Sequence, residues 1–201
     1  MKTLLIIVAI VVVAFVVFQV YTTFSTRKTE AQKYNVVSHE EGLEIRYYPE
    51  AVLATVHSSD TSYRDLGYSG FGKLIRYISG NNSRQQKISM TAPVHMNIDD
   101  TVSTMAFVMP AGMKYDELPL PNNMEVQLKT AKAEYVAALS FGGFASTERI
   151  EEQRMKLEKM LNDREISIYG NFRYFGYNPP YQLFGRKNEV VVSINASSIP
   201  K

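Results

Sequence analysis

Fifteen consecutive apolar residues, Leu4 to Phe18 (LLIIVAIVVVAFVVF), set the N-terminus apart from everything that follows. A helix made of them has no polar face to offer water, so it needs an apolar surrounding on every side. Extended through Val20 and Tyr21, the segment reaches about 27 Å at roughly 1.5 Å per residue, close to a hydrocarbon core of about 30 Å. Lys2 precedes it and Arg27 and Lys28 follow; basic residues on both sides leave its orientation open. The stretch QVYTTFSTRKTE contains no small-x-small cleavage site. Residues 1–21 therefore read as a transmembrane anchor or uncleaved signal, a single-pass arrangement that places the protein at a membrane. A cleaved signal, leaving a secreted or periplasmic domain, is the alternative. Residues 22–33, rich in Thr, Ser and Lys, read as a polar tether.

The remaining chain is long enough for one domain with a sizeable core. Its charge is nearly balanced, a formal +2 for the whole sequence, with no basic stripe, which argues against a nucleic-acid partner. The absence of cysteine rules out disulfides, thiolate zinc sites and cysteine nucleophiles. Along the chain, GLEIRYY (42–48) alternates as a strand, PEA turns it, and VLATVHSS (52–59) reads as the returning strand. Asp60, Thr61 or Ser62 caps a helix near 62–79, and Gly80-Asn81-Asn82 ends it. Strands follow at 87–98 and 101–110, joined around Asp99-Asp100, and 111–123 is a loop. The order then repeats: two strands in 124–141, a charged helix over 147–164 capped by Ser146 or Thr147, and strands at 166–180 and 188–195. Links this short exclude parallel crossovers within each strand pair. The expectation is an α+β domain over 34–196 with a 197–201 tail. Two β-β-α-β-β units would supply one antiparallel sheet of about eight strands, curled toward a barrel, with each helix on a sheet face.

The first helix carries two apolar sets. Leu66, Leu74, Tyr77 and Ile78 share one face; Tyr68, Phe71, Gly72, Ile75 and Ser79 share another, with Arg76 alongside. The first set suits packing on the sheet. The second would face outward, with a glycine that admits something flat. The second helix has one narrow stripe, Ile150, Leu157 and Leu161, and otherwise shows charge. Such an outward apolar face marks a binding site or an interface, unless a loop such as 111–123 covers it.

Other residues carry less. His39, His57 and His95 are far apart and form no ligand-spaced pair, so no metal site is expected. Met90, Met96, Met105, Met109 and Met113 read as core filler. Asp99-Asp100 and Asp116-Glu117 read as turn acids. No nucleophile-elbow, Walker or dinucleotide fingerprint is present. Nothing brings a base and a carboxylate together, and catalysis is not expected.

GFGKLIRYISGNN (70–82), KISMTAPV (87–94), FGGFAS (141–146) and GYNPPYQLFGRKNEVVV (176–192) together resemble the SOUL haem-binding protein family, from about Tyr34 to Ile194. The resemblance implies a distorted antiparallel barrel flanked by two helices, similar in fold to ligand-binding domains of the gyrase-inhibitor type. It also implies haem or another tetrapyrrole as bound ligand, in a shallow apolar cleft beside the first helix and near the loop before the last strand. Carried onto this chain, the cleft would be lined by Tyr68, Phe71, Ile75 and Arg76, with Tyr177, Tyr181 and Gln182 on the facing loop. Aromatic side chains would bury the porphyrin faces, and Arg76 would pair with a propionate, with Arg186 and Lys187 as further candidates. Where some members carry a histidine offered as an axial ligand, this chain has Tyr47, a poor ligand when neutral. The function implied is membrane-tethered, non-catalytic tetrapyrrole binding. The alternative is a structural or protein-interaction domain that docks a partner on the same helix face.

Overall fold

The computed structural model describes residues 1–99 and 102–199. Asp100 of the expected Asp99-Asp100 turn, Thr101 of the 101–110 strand, and Pro200 and Lys201 of the tail lie outside them. In chain order the elements are α1 (Lys2–Arg27), β1 (Glu30–Ala31), β2 (Asn35–Glu40), β3 (Leu43–Tyr48), β4 (Ala51–Ser58) and α2 (Tyr63–Ile78). Then come β5 (Thr91–Ala92), β6 (Val94–Asn97), β7 (Ser103–Val108), β8 (Val126–Ala131), β9 (Glu134–Gly142), α3 (Thr147–Asn162), β10 (Ile168–Gly176) and β11 (Lys187–Ile194). Single 3-10 turns occupy Tyr115–Glu117 and Ala196–Ser198.

Local chemistry sets the helix limits. The Ser62 hydroxyl accepts from the Asp65 N–H and starts α2, and the Ser146 hydroxyl accepts from the Arg149 N–H and starts α3. Gly80, at φ +111°, takes the left-handed turn after α2 that a side chain would oppose.

Nine strands form one sheet in the order β2-β3-β9-β11-β10-β6-β7-β4-β8. This corrects the barrel expectation: the sheet is open, and β2 and β8 are its edges. Both ends are built to terminate pairing. All six residues of β2 are exposed and its register slips between Val36 and Ser38, while β8 puts Gln127, Lys129 and Thr130 into solvent. A second correction concerns the strand pairs. β4 does not return along β3: β3 pairs with β2 and β9, and β4 pairs with β7 and β8. The Pro49-Glu50 link carries the chain across the molecule instead. Likewise β8 and β9 part company, so the first strand of each expected unit joins the half of the sheet formed by the other.

Both helices cover the same sheet face. α2 lies on the β4-β7 half and α3 on the β9-β11 half. Leu66, Leu74, Tyr77 and Ile78 of α2 and Ile150, Leu157 and Leu161 of α3 join one core with Ile45, Phe107, Leu139 and Val192. Met96, Met105 and Met109 are buried in that core, and Met90 and Met113 pack against it. Gly70 allows α2 its close approach, because a Cβ there would sit 3.1 Å from Val56 and 3.2 Å from Met105. The segment expected as a tether is partly structured. α1 runs to Arg27, and Glu30 and Ala31 pair in parallel with Thr91 and Ala92.

Candidate ligand-binding surface

The outward face of α2 is open. Tyr68 is 75% and Phe71 40% exposed, Ile75 is half-buried at the edge of the core, and Arg76 reaches solvent. Phe71 leans edge-on against Phe107, ring centres 5.3 Å apart, which holds it in place while its other side stays free. A Cβ on Gly72 would meet only the Arg76 guanidinium, at 3.9 Å, so the backbone between Tyr68 and Ile75 can be approached closely. Arg76 folds back to donate to the Gly72 carbonyl at 3.0 Å, and the Arg64 guanidinium lies 5.8 Å from the Tyr68 ring. Loop 111–123 does not seal this shelf. It packs at the C-terminal end of α2, where the Tyr77 hydroxyl donates to the Pro119 carbonyl at 3.0 Å.

The other three residues expected at the cleft lie elsewhere. Tyr177 packs on the sheet face away from the helices, with Tyr48, Phe175 and Val191. The Tyr181 ring lies 5.9 Å from Phe18 of α1. Gln182 is buried, 2.8 Å from the Thr26 hydroxyl and donating to the Phe184 carbonyl. The structure thus brings Tyr68, Phe71, Ile75 and Arg76 together and keeps Tyr177, Tyr181 and Gln182 apart from them. Arg186 is drawn inward, donating to the Pro179 and Gln182 carbonyls, and Lys187 pairs with Glu189 at 3.0 Å. The Tyr47 ring lies 5.0 Å from that of Tyr135 of β9, tilted by 52°, in the half of the sheet that α3 covers.

Tyr177 belongs to a polar cluster that sequence reasoning missed. Glu189, 0% exposed, accepts two bonds from Arg46 at 2.7 and 2.8 Å, one from the Tyr177 hydroxyl at 2.6 Å and one from Ser140 at 2.9 Å. Arg46 also donates to Glu44 at 2.7 Å, and its guanidinium lies 4.3 Å from the centre of the Tyr34 ring. Burial alone drives the Glu189 carboxyl upward, but the Arg46 bonds and charge, with Lys187 and Tyr177, overcome it and hold the group at about 2. Burial pushes the Tyr177 and Tyr48 hydroxyls up, Tyr48 to about 12. Nearby, His95 stacks on Phe175 at 3.9 Å and shares a 2.9 Å hydrogen bond with Gln32. Burial, aided by the charges of Arg173 and Lys129, lowers its imidazole to about 3. One signal in the sequence pointed this way: Glu189 directly precedes the run Val190-Val191-Val192 in β11, where an ionised group needs a partner.

No group of three or more His, Cys, Asp or Glu side chains is arranged to hold a metal among the described residues. The α2 face has no histidine, methionine or cysteine. A flat ligand there would be held by ring contacts and edge charge.

A family model described as SOUL heme-binding protein matches residues 29–193. Heme-binding protein 2 of Homo sapiens is 30% identical over 156 residues, 73% of this chain and 75% of its own length. Heme-binding protein 1 of Xenopus laevis is 26% identical over 155 residues, covering 73% and 80%. Among solved structures, the EcmrR C-terminal domain superposes with a TM-score of 0.57 at 10% identity, covering 81% of this chain and 98% of that one. A hydrolase from Listeria innocua superposes at 0.52 and 7% identity, covering 79% and 94%. At these identities the likeness is one of fold.

Proposed function

Since this chain belongs to the SOUL heme-binding protein family, we propose that it is a membrane-tethered, non-catalytic binder of haem or another tetrapyrrole, and that the outer face of α2 receives the ring. The observation that carries this is the contrast between two equivalent helices. α3 turns mainly charge to solvent, whereas α2 turns out Tyr68 and Phe71 beside an unobstructed Gly72. The names of the curated relatives supply the ligand class. α1, with its apolar residues exposed from end to end, is long and apolar enough to cross a bilayer and supplies the tether.

Magnitudes decide what such a surface achieves. Full burial of an aromatic side chain contributes about 1.5–3 kcal/mol, so Tyr68 has most of that to gain and Phe71 less than half. An exposed Arg76–propionate pair adds about 0.2–1 kcal/mol. Micromolar affinity requires about 8 kcal/mol; the balance comes from apolar area of the ring itself leaving water. Tyr177, Tyr181 and Gln182 make no contribution in this arrangement.

The test is a hemin titration of the full chain in detergent, followed at the Soret band. The wild type saturates at one equivalent. Phe71→Asp removes apolar contact and places a charge under the ring, so it weakens binding about ten-fold or more, equivalent to 1.4 kcal/mol. Arg76→Glu weakens it several-fold. A Phe71→Asp titration that superposes on the wild type refutes the α2 assignment.

A further inference from the structure

The loop Asn178–Gly185 is clamped to the end of α1. Within α1 only Gln19 and Thr22 are buried, and Gln19 serves both edges of the loop: its amide donates to the Tyr181 carbonyl at 3.0 Å and accepts from the Leu183 N–H at 3.0 Å. Phe18 touches Tyr181, Thr26 meets Gln182, and a Cβ on Gly185 would lie 3.9 Å from Thr23. Arg186 closes the loop from inside through the Pro179 and Gln182 carbonyls. This rigid loop turns its apolar side chains outward: Tyr181 is 57%, Leu183 40% and Phe184 65% exposed. Phe144, 55% exposed, joins them with the Arg186 guanidinium 4.5 Å from its ring centre. On α1 itself, Tyr21 and Phe24 are exposed at the same level, and Arg27 and Lys28 follow.

We infer that Tyr181, Leu183, Phe184 and Phe144 form a second membrane contact, immersed in the interfacial layer of the bilayer that α1 enters. The inference rests on reading α1 as an anchor. Its occupant follows from position: the patch is bonded to the helix where the unbroken apolar run ends, at Phe18-Gln19. At that depth aromatic side chains settle with apolar bodies toward acyl chains and polar edges toward headgroups, and Arg27 and Lys28 meet lipid phosphates. Gln19 is tolerated at the boundary because the loop backbone satisfies both ends of its amide. The domain is consequently held against the membrane in one orientation.

The chain contains no tryptophan, so one introduced indole reports its own depth. Phe184→Trp and Val12→Trp are each made in the full chain and reconstituted into phosphatidylcholine–phosphatidylglycerol vesicles. The phosphatidylcholine is brominated either near the headgroup end or at the middle of the acyl chain. Phe184→Trp is expected to lose most of its emission with the shallow bromines, and Val12→Trp with the deep ones. Quenching of Val12→Trp without Phe184→Trp overturns the loop contact and keeps the anchor. Quenching of Phe184→Trp alone keeps the loop contact and removes the spanning helix. Quenching of neither overturns both.

Discussion

Replacing Glu189 by glutamine tests whether the Arg46–Glu189 pair sits in a low-dielectric interior. The carboxylate is 0% exposed and Arg46 1%, and their contact is bidentate at 2.7 and 2.8 Å. Glu189→Gln keeps one acceptor oxygen but turns an amide N–H₂ toward donors, and it leaves Arg46 charged with Glu44, among the described residues, as its remaining ion-pair partner. Breaking one side of a buried pair costs about 3–5 kcal/mol. The acid side of the same pair agrees: a carboxyl moved from 4.5 to about 2 is stabilised by about 3 kcal/mol at 1.36 kcal/mol per unit. For a chain of this size each kcal/mol lowers Tm by about 2–4 °C, which predicts a fall of about 6–20 °C. Because the folded pKa is depressed, this stability is complete above about pH 4.5 and is lost as the pH falls toward 2; that decline is absent in Glu189→Gln. Arg46→Met alone is also damaging, since it removes the bidentate partner and leaves the buried carboxylate only Lys187, Tyr177 and Ser140. The double variant Arg46→Met/Glu189→Leu recovers most of the loss, because it leaves no buried charge unpaired, although the Tyr177 hydroxyl loses its acceptor. Thermal melts of the full chain in detergent, read by circular dichroism, supply all four corners of the cycle. Single variants that each cost under about 1 kcal/mol and simply add would show a pair that water reaches and screens, and would refute the reasoning.

Two glycines on one helix should respond in opposite senses. Gly70→Val forces a branched side chain against Val56 and Met105 and costs about 1–3 kcal/mol. Gly72→Ala makes only an ordinary contact with the Arg76 guanidinium, at 3.9 Å, and gains about 0.5–1 kcal/mol of helix stability; chemical denaturation measures both. His95 should remain neutral throughout the physiological range, its ring resonances in NMR spectra shifting only as the pH nears about 3. Since its folded pKa is lowered, its contribution to stability is complete above about 6.5 and falls as the pH drops from there toward 3. A normal imidazole titration near neutrality would show that the stack on Phe175 opens to water.

Much of α2 could be read from spacing alone. Leu66, Leu74, Tyr77 and Ile78 are buried, and Tyr68 and Phe71 are exposed, because a helix of 3.6 residues per turn assigns each residue a direction without reference to anything else. Local patterning also placed the α3 stripe and most strands, while cap chemistry narrowed the helix starts to small sets, from which the structure selects Ser62 and Ser146. β2 escaped it, since a strand exposed on all six residues has no apolar alternation to detect. The candidate site was half legible. The helix residues form one surface by periodicity, but of the loop residues assigned to the same cleft Tyr177 packs with Tyr48 and Phe175, and Tyr181 and Gln182 meet α1.

What could be read locally, then, is the direction in which each side chain points within its own helix or strand, together with the one segment too apolar for water. Which elements meet was decided only in three dimensions. Pro49-Glu50 looks the same whether the next strand folds back or crosses to another partner. Arg46 and Glu189 stand 143 positions apart, and Gln19 meets Leu183 across 164. Pairing across such separations depends on the closure of the whole sheet and the burial of charge within it, and no window of neighbouring residues contains either quantity.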